Sequence, residues 1–172
     1  MTRKHIVYGD GNTKSKIMLI GEAPGYHEDK QGLPFVGQSG QLLRTMLIDM
    51  CNIKPETIYI TNVIKCKPPG NRPPSVDEIA TCTKYFLIKE IVHVDPLIII
   101  TAGKVATEFV TNSTVVMSHV IDRYFHLGKR YIIPIYHPSY ILQKGLEEKY
   151  KEHFKYVGLM IGHIIMKHPE IL

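Results

Sequence analysis

The run Leu97-Ile98-Ile99-Ile100-Thr101, introduced by Pro96 and followed by Gly103, constrains the fold more than any other stretch. A strand with one face to water alternates polar and apolar residues. A strand apolar on both faces belongs inside a parallel sheet covered by helices on each side. Three more segments read as strands: Lys16 to Ile20, the β-branched stretch within Thr57 to Lys65, and Tyr131 to Tyr136. Segments of helical spacing lie between them. Ser39 to Met50 carries an apolar stripe, and Lys104 to Val110 follows the Gly103 turn. Val76 to about Val92 has Ser75 as N-cap with Glu78 as its capping-box partner, and Glu147 to Lys167 forms a terminal helix.

This alternation predicts an α/β fold, a three-layer α/β/α sandwich around a mostly parallel four-stranded sheet. Ile6 to Tyr8 reads as a short edge strand, Tyr26 to Gly32 as a polar loop, and Asn112 to Gly128 as irregular. With 172 residues, 44% hydrophobic and 22% charged, the expectation is one globular domain over residues 1–172. No apolar run approaches the roughly 18 residues of a membrane span, and no apolar core follows the charged amino terminus, so a cytoplasmic location, prokaryotic or viral, is expected. Three unequally spaced cysteines without a Cys-x-x-Cys pair fit a reducing compartment. A net charge of +5 tilts the balance toward a polyanionic partner.

In such a fold, three loops meet at the carboxyl edge of the sheet: Gly21 to Gly37, Asn62 to Pro74, and His137 to Leu142. They offer an amide (Asn62), an aromatic ring (Phe35), an imidazole (His137), carboxylates (Glu22, Glu28, Asp29) and backbone N–H groups beside glycines. An aromatic face with a bidentate amide is suited to one planar heterocycle, and Lys65, Lys67 and Arg72 could hold phosphates. Together they describe a pocket for an extruded nucleobase.

The segments Gly21-Glu22-Ala23-Pro24-Gly25, Pro34-Phe35-Val36-Gly37, Tyr59-Ile60-Thr61-Asn62-Val63, Lys65-Cys66-Lys67-Pro68-Pro69-Gly70-Asn71-Arg72, Gly103-Lys104-Val105-Ala106 and Tyr136-His137-Pro138-Ser139-Tyr140-Ile141-Leu142 resemble the motifs of the family 4 uracil-DNA glycosylases. The resemblance implies hydrolysis of the bond between uracil and deoxyribose in DNA. In that scheme Asn62 reads the base and Phe35 stacks on it. His137 and backbone N–H groups of Gly21, Ala23 and Gly25 stabilise the departing anion. Glu28 crowds the place of a thymine methyl. Efficient members of the superfamily carry an aspartate where this chain has Ala23, which leaves Glu22, or a water held by backbone, to activate the nucleophile; Glu22 is the assignment made. Ser139 and Tyr140 are expected on the DNA backbone, with Ile141 as the apolar wedge.

The resemblance also brings a four-iron four-sulfur cluster, two of whose four cysteine ligands match Cys66 and Cys82. The other two belong to an amino-terminal Cys-x-x-Cys pair that this sequence does not contain. The expectation is therefore no cofactor, with a cluster only if the chain is truncated at its start. Uracil-containing DNA is the expected partner, with replication proteins as further candidates, and a monomer is the expected state. Two rival functions stand beside the repair enzyme: a base-sensing DNA-binding module with weak or no catalysis, and a glycosylase for another modified base.

Overall fold

The computed structural model describes residues 4–169. Its strands are β1 (Asp10–Gly11), β2 (Ile17–Gly21), β3 (Ile58–Asn62), β4 (Ile98–Ala102), β5 (Phe125–Leu127) and β6 (Arg130–Ile135). Its helices are α1 (Tyr26–Gln31), α2 (Gln38–Cys51), α3 (Val76–Cys82), α4 (Ile88–Val94), α5 (Lys104–Thr111), α6 (Met117–Val120), α7 (Pro138–Lys144) and α8 (Glu147–Lys167). One sheet of six strands runs in the order β1-β3-β2-β4-β6-β5.

The middle of the sheet is the parallel set anticipated from the apolar runs: β3, β2, β4 and β6, in which Ile17 pairs with both Ile58 and Ile98, and Ile98 also with Tyr131. Every residue of β2, β3 and β4 is buried. Alternate side chains therefore serve opposite layers. Ile17, Leu19, Ile98 and Ile100 pack with Leu43, Met46, Phe154 and Val157 of α2 and α8. Met18, Ile20 and Ile99 pack with Leu87, Ala106 and Val110 on the other side. The three-layer arrangement follows from this division.

Two antiparallel edge strands raise the expected four to six. At one edge the pairing falls on Asp10–Gly11 rather than on Ile6 to Tyr8, because Gly11 reaches a φ of 109° that a side chain would resist. At the other, Leu127 pairs with Arg130 across a two-residue turn whose Gly128 has φ 58°, closing a hairpin inside the stretch read as irregular. The Ser75 cap is present, with its Oγ accepting from Glu78 N at 3.2 Å and Glu78 Oε2 accepting from Ser75 N at 2.8 Å. The helix it starts passes through a π turn at Thr83–Leu87 before continuing as α4. Among the described residues no helix is long and apolar enough to cross a membrane.

Helices α2 and α8 approach closely at Gly158, where an added methyl would lie 2.4 Å from the Met50 carbonyl oxygen. Gly158→Ala gains about 1 kcal/mol of helix propensity but forces two backbones apart, at about 1–3 kcal/mol. The overpacking wins. The urea midpoint is expected to fall without a change in m, and an unchanged or raised midpoint would show that the helices shift freely.

Candidate active site

The site is assembled at the carboxyl ends of the parallel strands. Gly21 ends β2 and is paired with Asn62, which ends β3, while His137 follows β6. A cavity of about 370 Å³ there is lined by Glu22, Ala23, Gly25, Glu28, Phe35, Asn62, Arg72, His137 and Ser139, together with Pro24, Ser39, Pro68, Asn71 and Gln143.

A methyl on Gly21 would stand 2.4 Å from both Asn62 Oδ1 and Phe35 Cζ. Only a residue without a side chain lets ring and amide meet above the strand ends. Phe35 adopts φ 55°, an uncommon conformation for a bulky residue. Gly40 of α2 makes room, since a methyl there would meet the Phe35 backbone at 2.3 Å, and Arg44 donates from Nε to Phe35 O and from Nη2 to Pro34 O, both at 3.0 Å.

Glu28 joins two loops. Its Oε1 accepts from Val36 N at 2.9 Å and Gly37 N at 2.7 Å, and its Oε2 from Gly25 N at 3.1 Å. These bonds explain why Tyr26 to Gly32, expected to be loop, is helix α1: Glu28 closes its first turn, and Asp29 accepts from Lys4 N at 2.9 Å and His5 N at 3.1 Å.

Asn62 is 2% exposed, and its Oδ1 is buried with no hydrogen-bond partner among the described residues. His137 caps α7. Its Nδ1 accepts from Ser139 N at 3.2 Å and from Ser139 Oγ at 2.6 Å, which leaves the proton of the neutral ring on Nε2. Burial pushes its pKa down to about 4, against an opposing pull from Glu28. The imidazole is therefore neutral near pH 7. Between pH 6.5 and about 4 the unfolded chain takes up a proton that the folded site refuses, so acidification through that window costs stability. Burial raises the pKa of Glu22. The ring of His137 lies 6.4 Å from that of Phe35, tilted by 35°. Arg72 reaches the cavity while bonded at 2.8 Å to both oxygens of Glu78, a pairing that helps hold that carboxyl at about pH 2.

Two residues expected on DNA lie elsewhere. Lys65 is fully buried, its Nζ donating to Thr61 Oγ1 at 2.6 Å, Asn62 O at 2.7 Å and Glu90 Oε2 at 2.6 Å. It is a strut behind Asn62, since an ammonium with three close acceptors inside the protein has no reach to spare for phosphate. Ile141 is 2% exposed and packed in the layer of α2 and α8, so it does not project as a wedge. Lys67 and Tyr140 line other cavities. Ser39, Asn71 and Gln143 line the main cavity without having been expected there. Asn71 and Gln143 sit inside or beside motif segments, and that adjacency was the available signal.

Cys66 and Cys82 line a separate cavity of about 320 Å³ with Lys67, Asp77 and Glu78. Cys51 packs in the opposite layer, its Sγ 3.7 Å from Phe154 O, and cannot join them. Among the described residues no group of three or more His, Cys, Asp or Glu could hold a metal ion. Two thiols fall short of the four ligands of the usual cluster, so the described residues do not fit one.

Residues 8–157 match the model of the uracil DNA glycosylase superfamily, and the chain belongs to that superfamily. Within it the chain is similar to type-4 enzymes and, at 29% identity over 115 residues, to the type-5 uracil-DNA glycosylase of Thermus thermophilus. It is 38% identical to the type-4 uracil-DNA glycosylase of Archaeoglobus fulgidus over 170 residues, covering 94% of this chain and 84% of that protein. To the type-4 uracil-DNA glycosylase of Thermotoga maritima it is 40% identical over 153 residues, covering 86% and 77%. It is also 30% identical over 146 residues to a DNA polymerase of Bacillus phage SP01, covering 85% of this chain and 15% of the polymerase.

Lys65→Met removes one partner of a buried ion pair and leaves the Glu90 carboxylate with neutral donors only, Thr61 Oγ1 and Gly9 N among them. The expected cost is about 3–5 kcal/mol in urea unfolding, with partial recovery in the double variant Lys65→Met, Glu90→Gln. A loss below about 1 kcal/mol, the scale of exposed ion pairs, would show that Lys65 is not held as described.

Proposed function

We propose that this chain is a DNA repair enzyme, a monofunctional and monomeric uracil-DNA glycosylase that leaves an abasic site. The observation that carries the reading is the lone buried acceptor of Asn62 in a cavity shared with Phe35 and a neutral His137. Uracil presents N3–H to such an acceptor and O4 to the amide nitrogen. Cytosine presents an unprotonated N3 and an amino group, leaving buried groups unpaired at about 1–3 kcal/mol each. Thymine differs from uracil by one methyl, and Glu28, immobilised by three backbone donors, has no freedom to yield space to it.

The base must leave the helix to reach this cavity, at a cost of a few kcal/mol. Stacking on Phe35 offsets part of it, and Arg72, Lys67, Ser139 and Tyr140 serve the phosphodiester backbone. As the bond from C1′ to N1 breaks, its electron pair moves onto the base and the sugar gains oxocarbenium character. His137 Nε2–H and the Ala23 N–H donate to O2 as that charge grows; the Gly25 N–H, expected to share this role, is already given to Glu28 Oε2. A neutral donor keeps its proton in place and needs no reorganisation during the step. Water adds to C1′, oriented and deprotonated by Glu22, and the uracil anion takes up a proton after departure. Base recognition, anion stabilisation and water activation are assigned to residues of this chain, and no step to a cofactor.

The similarity to a stretch of a phage DNA polymerase favours one second reading, a module that holds altered bases near a replication fork. A panel of oligonucleotides, each with one altered base, treated with protein and then alkali, separates the readings. Strand breaks at uracil support the enzyme, and tight binding without breaks supports the module. Breaks only at another base redirect the specificity.

Asn62→Ala and His137→Ala are each expected to lower kcat by about 10²-fold or more while the protein stays folded by circular dichroism. Full activity in either variant removes that residue from the mechanism. The pH dependence of kcat/KM is expected to show an acid limb from Glu22, whose raised pKa means the base is lost by protonation above the usual carboxylate range. No inflection is expected near 6.5, because the folded His137 titrates at about 4. Glu22→Gln should lower the rate and abolish that limb, and a limb that survives the substitution excludes Glu22 as the base.

A further inference from the structure

A second cavity, of about 520 Å³, opens on the far side of α7. Consecutive residues of this helix serve the two: Ser139 lines the first cavity, and Tyr140 and Ile141 line the second. Its walls are unusually aromatic. The rings of Tyr136 and Tyr140 lie 5.6 Å apart at 31°, and those of Tyr150 and His153 lie 6.3 Å apart at 23°. Tyr156 stands at the mouth, 53% exposed.

His153 lines this cavity and is only 7% exposed. Its Nδ1–H donates to Asp122 Oδ1 at 2.5 Å, so in the neutral ring Nε2 is an acceptor. That Nε2 is buried and has no hydrogen-bond partner among the described residues. Buried polar atoms of this kind are rare and call for an explanation, and at a cavity wall a bound partner is one. Lys149 adds a positive charge, while Asp122 is engaged with His153 and Glu152 is the remaining carboxylate in the lining.

We infer that this cavity is a subsite for an unpaired nucleobase next to the extruded uracil on the same strand, an inference that rests on the first cavity being the uracil site. Planar rings and a lone acceptor are what a nucleobase with an N–H edge can use, and every base has a face to stack. A strand with one base in the first cavity passes α7 to reach the second. A base held in duplex cannot enter, so the subsite favours single-stranded or locally opened DNA.

The test is fluorescence anisotropy on single-stranded oligonucleotides that carry tetrahydrofuran in place of the uracil nucleotide. The adjacent nucleotide, 5′ in one series and 3′ in the other, either keeps its base or is a second tetrahydrofuran. For the wild-type protein, removal of the base on one side is expected to weaken binding roughly tenfold, the scale of one lost base–aromatic stack. Tyr156→Ala, an exposed change that leaves the core untouched, is expected to weaken binding of the fully based strand by a similar factor. It should then add nothing when the neighbouring base is already missing. Effects that simply multiply, or a base removal without effect on either side, overturn the subsite. Uracil release by the wild-type protein is scored separately. Its absence alongside a persistent coupling would remove the catalytic reading and leave the subsite as part of a DNA-binding surface.

Discussion

The close approach of three groups above the end of β2 governs the site. Gly21 contributes only backbone there, so the Phe35 ring and the Asn62 amide can occupy the volume where a Cβ would stand. The rest of the geometry is arranged to exploit this vacancy. The parallel register that places Gly21 beside Asn62 is fixed by Ile17 against Ile58 and Leu19 against Ile60. A slip of one residue would turn every side chain of β3 to the opposite layer. Core packing and base recognition thus depend on the same register.

What holds the loops is mostly hydrogen bonding between carboxylates and backbone. Glu28 ties Gly25 to Val36 and Gly37, Asp29 ties the segment at Lys4 and His5 to α1, and Glu90 accepts from Gly9 N at 3.1 Å while pairing with Lys65. Each bond is charge-assisted and therefore stronger than a neutral one. The site is stiff where it meets the base and leaves Asn62 Oδ1 buried without a hydrogen-bond partner among the described residues. That pattern fits preorganisation, in which a ligand is recognised by supplying what the fold withholds.

Much of this was legible in the sequence because parallel strands buried on both faces leave a dense apolar signature, and the loops after them must share an edge. Lys65 differs from its expected place for a definite reason. Beside Lys67 in a polar, proline-rich stretch it has the look of a solvated cation, and its burial depends on Glu90, 25 residues away, which no local pattern announces. Ile141 was assigned by motif position, yet α7 turns that face inward onto the α2 and α8 layer. Helix α1 escaped detection because its sequence, Tyr-His-Glu-Asp-Lys-Gln, has no apolar stripe; tertiary bonds to Glu28 and Asp29 fix it in place. The edge strands β1 and β5 are two and three residues long, too short for periodicity to mark.

The corner holding Cys66 and Cys82 shows how the 62–72 loop is secured. Two ion pairs join it to the helix formed by α3 and α4: Lys65 with Glu90, whose lysine is fully buried, and Arg72 with Glu78, whose arginine side chain is 45% exposed. The two are not equal. Solvent screening leaves the exposed pair contributing little despite its bidentate geometry, whereas loss of one buried partner strands a charge in a medium that cannot solvate it. The loop is therefore anchored firmly at the Asn62 end and loosely at the Arg72 end. This gradient suits the two tasks assigned to it. An amide that discriminates between bases must be held to within a fraction of an ångström, while an arginine that follows a phosphate gains from freedom to exchange Glu78 for the strand.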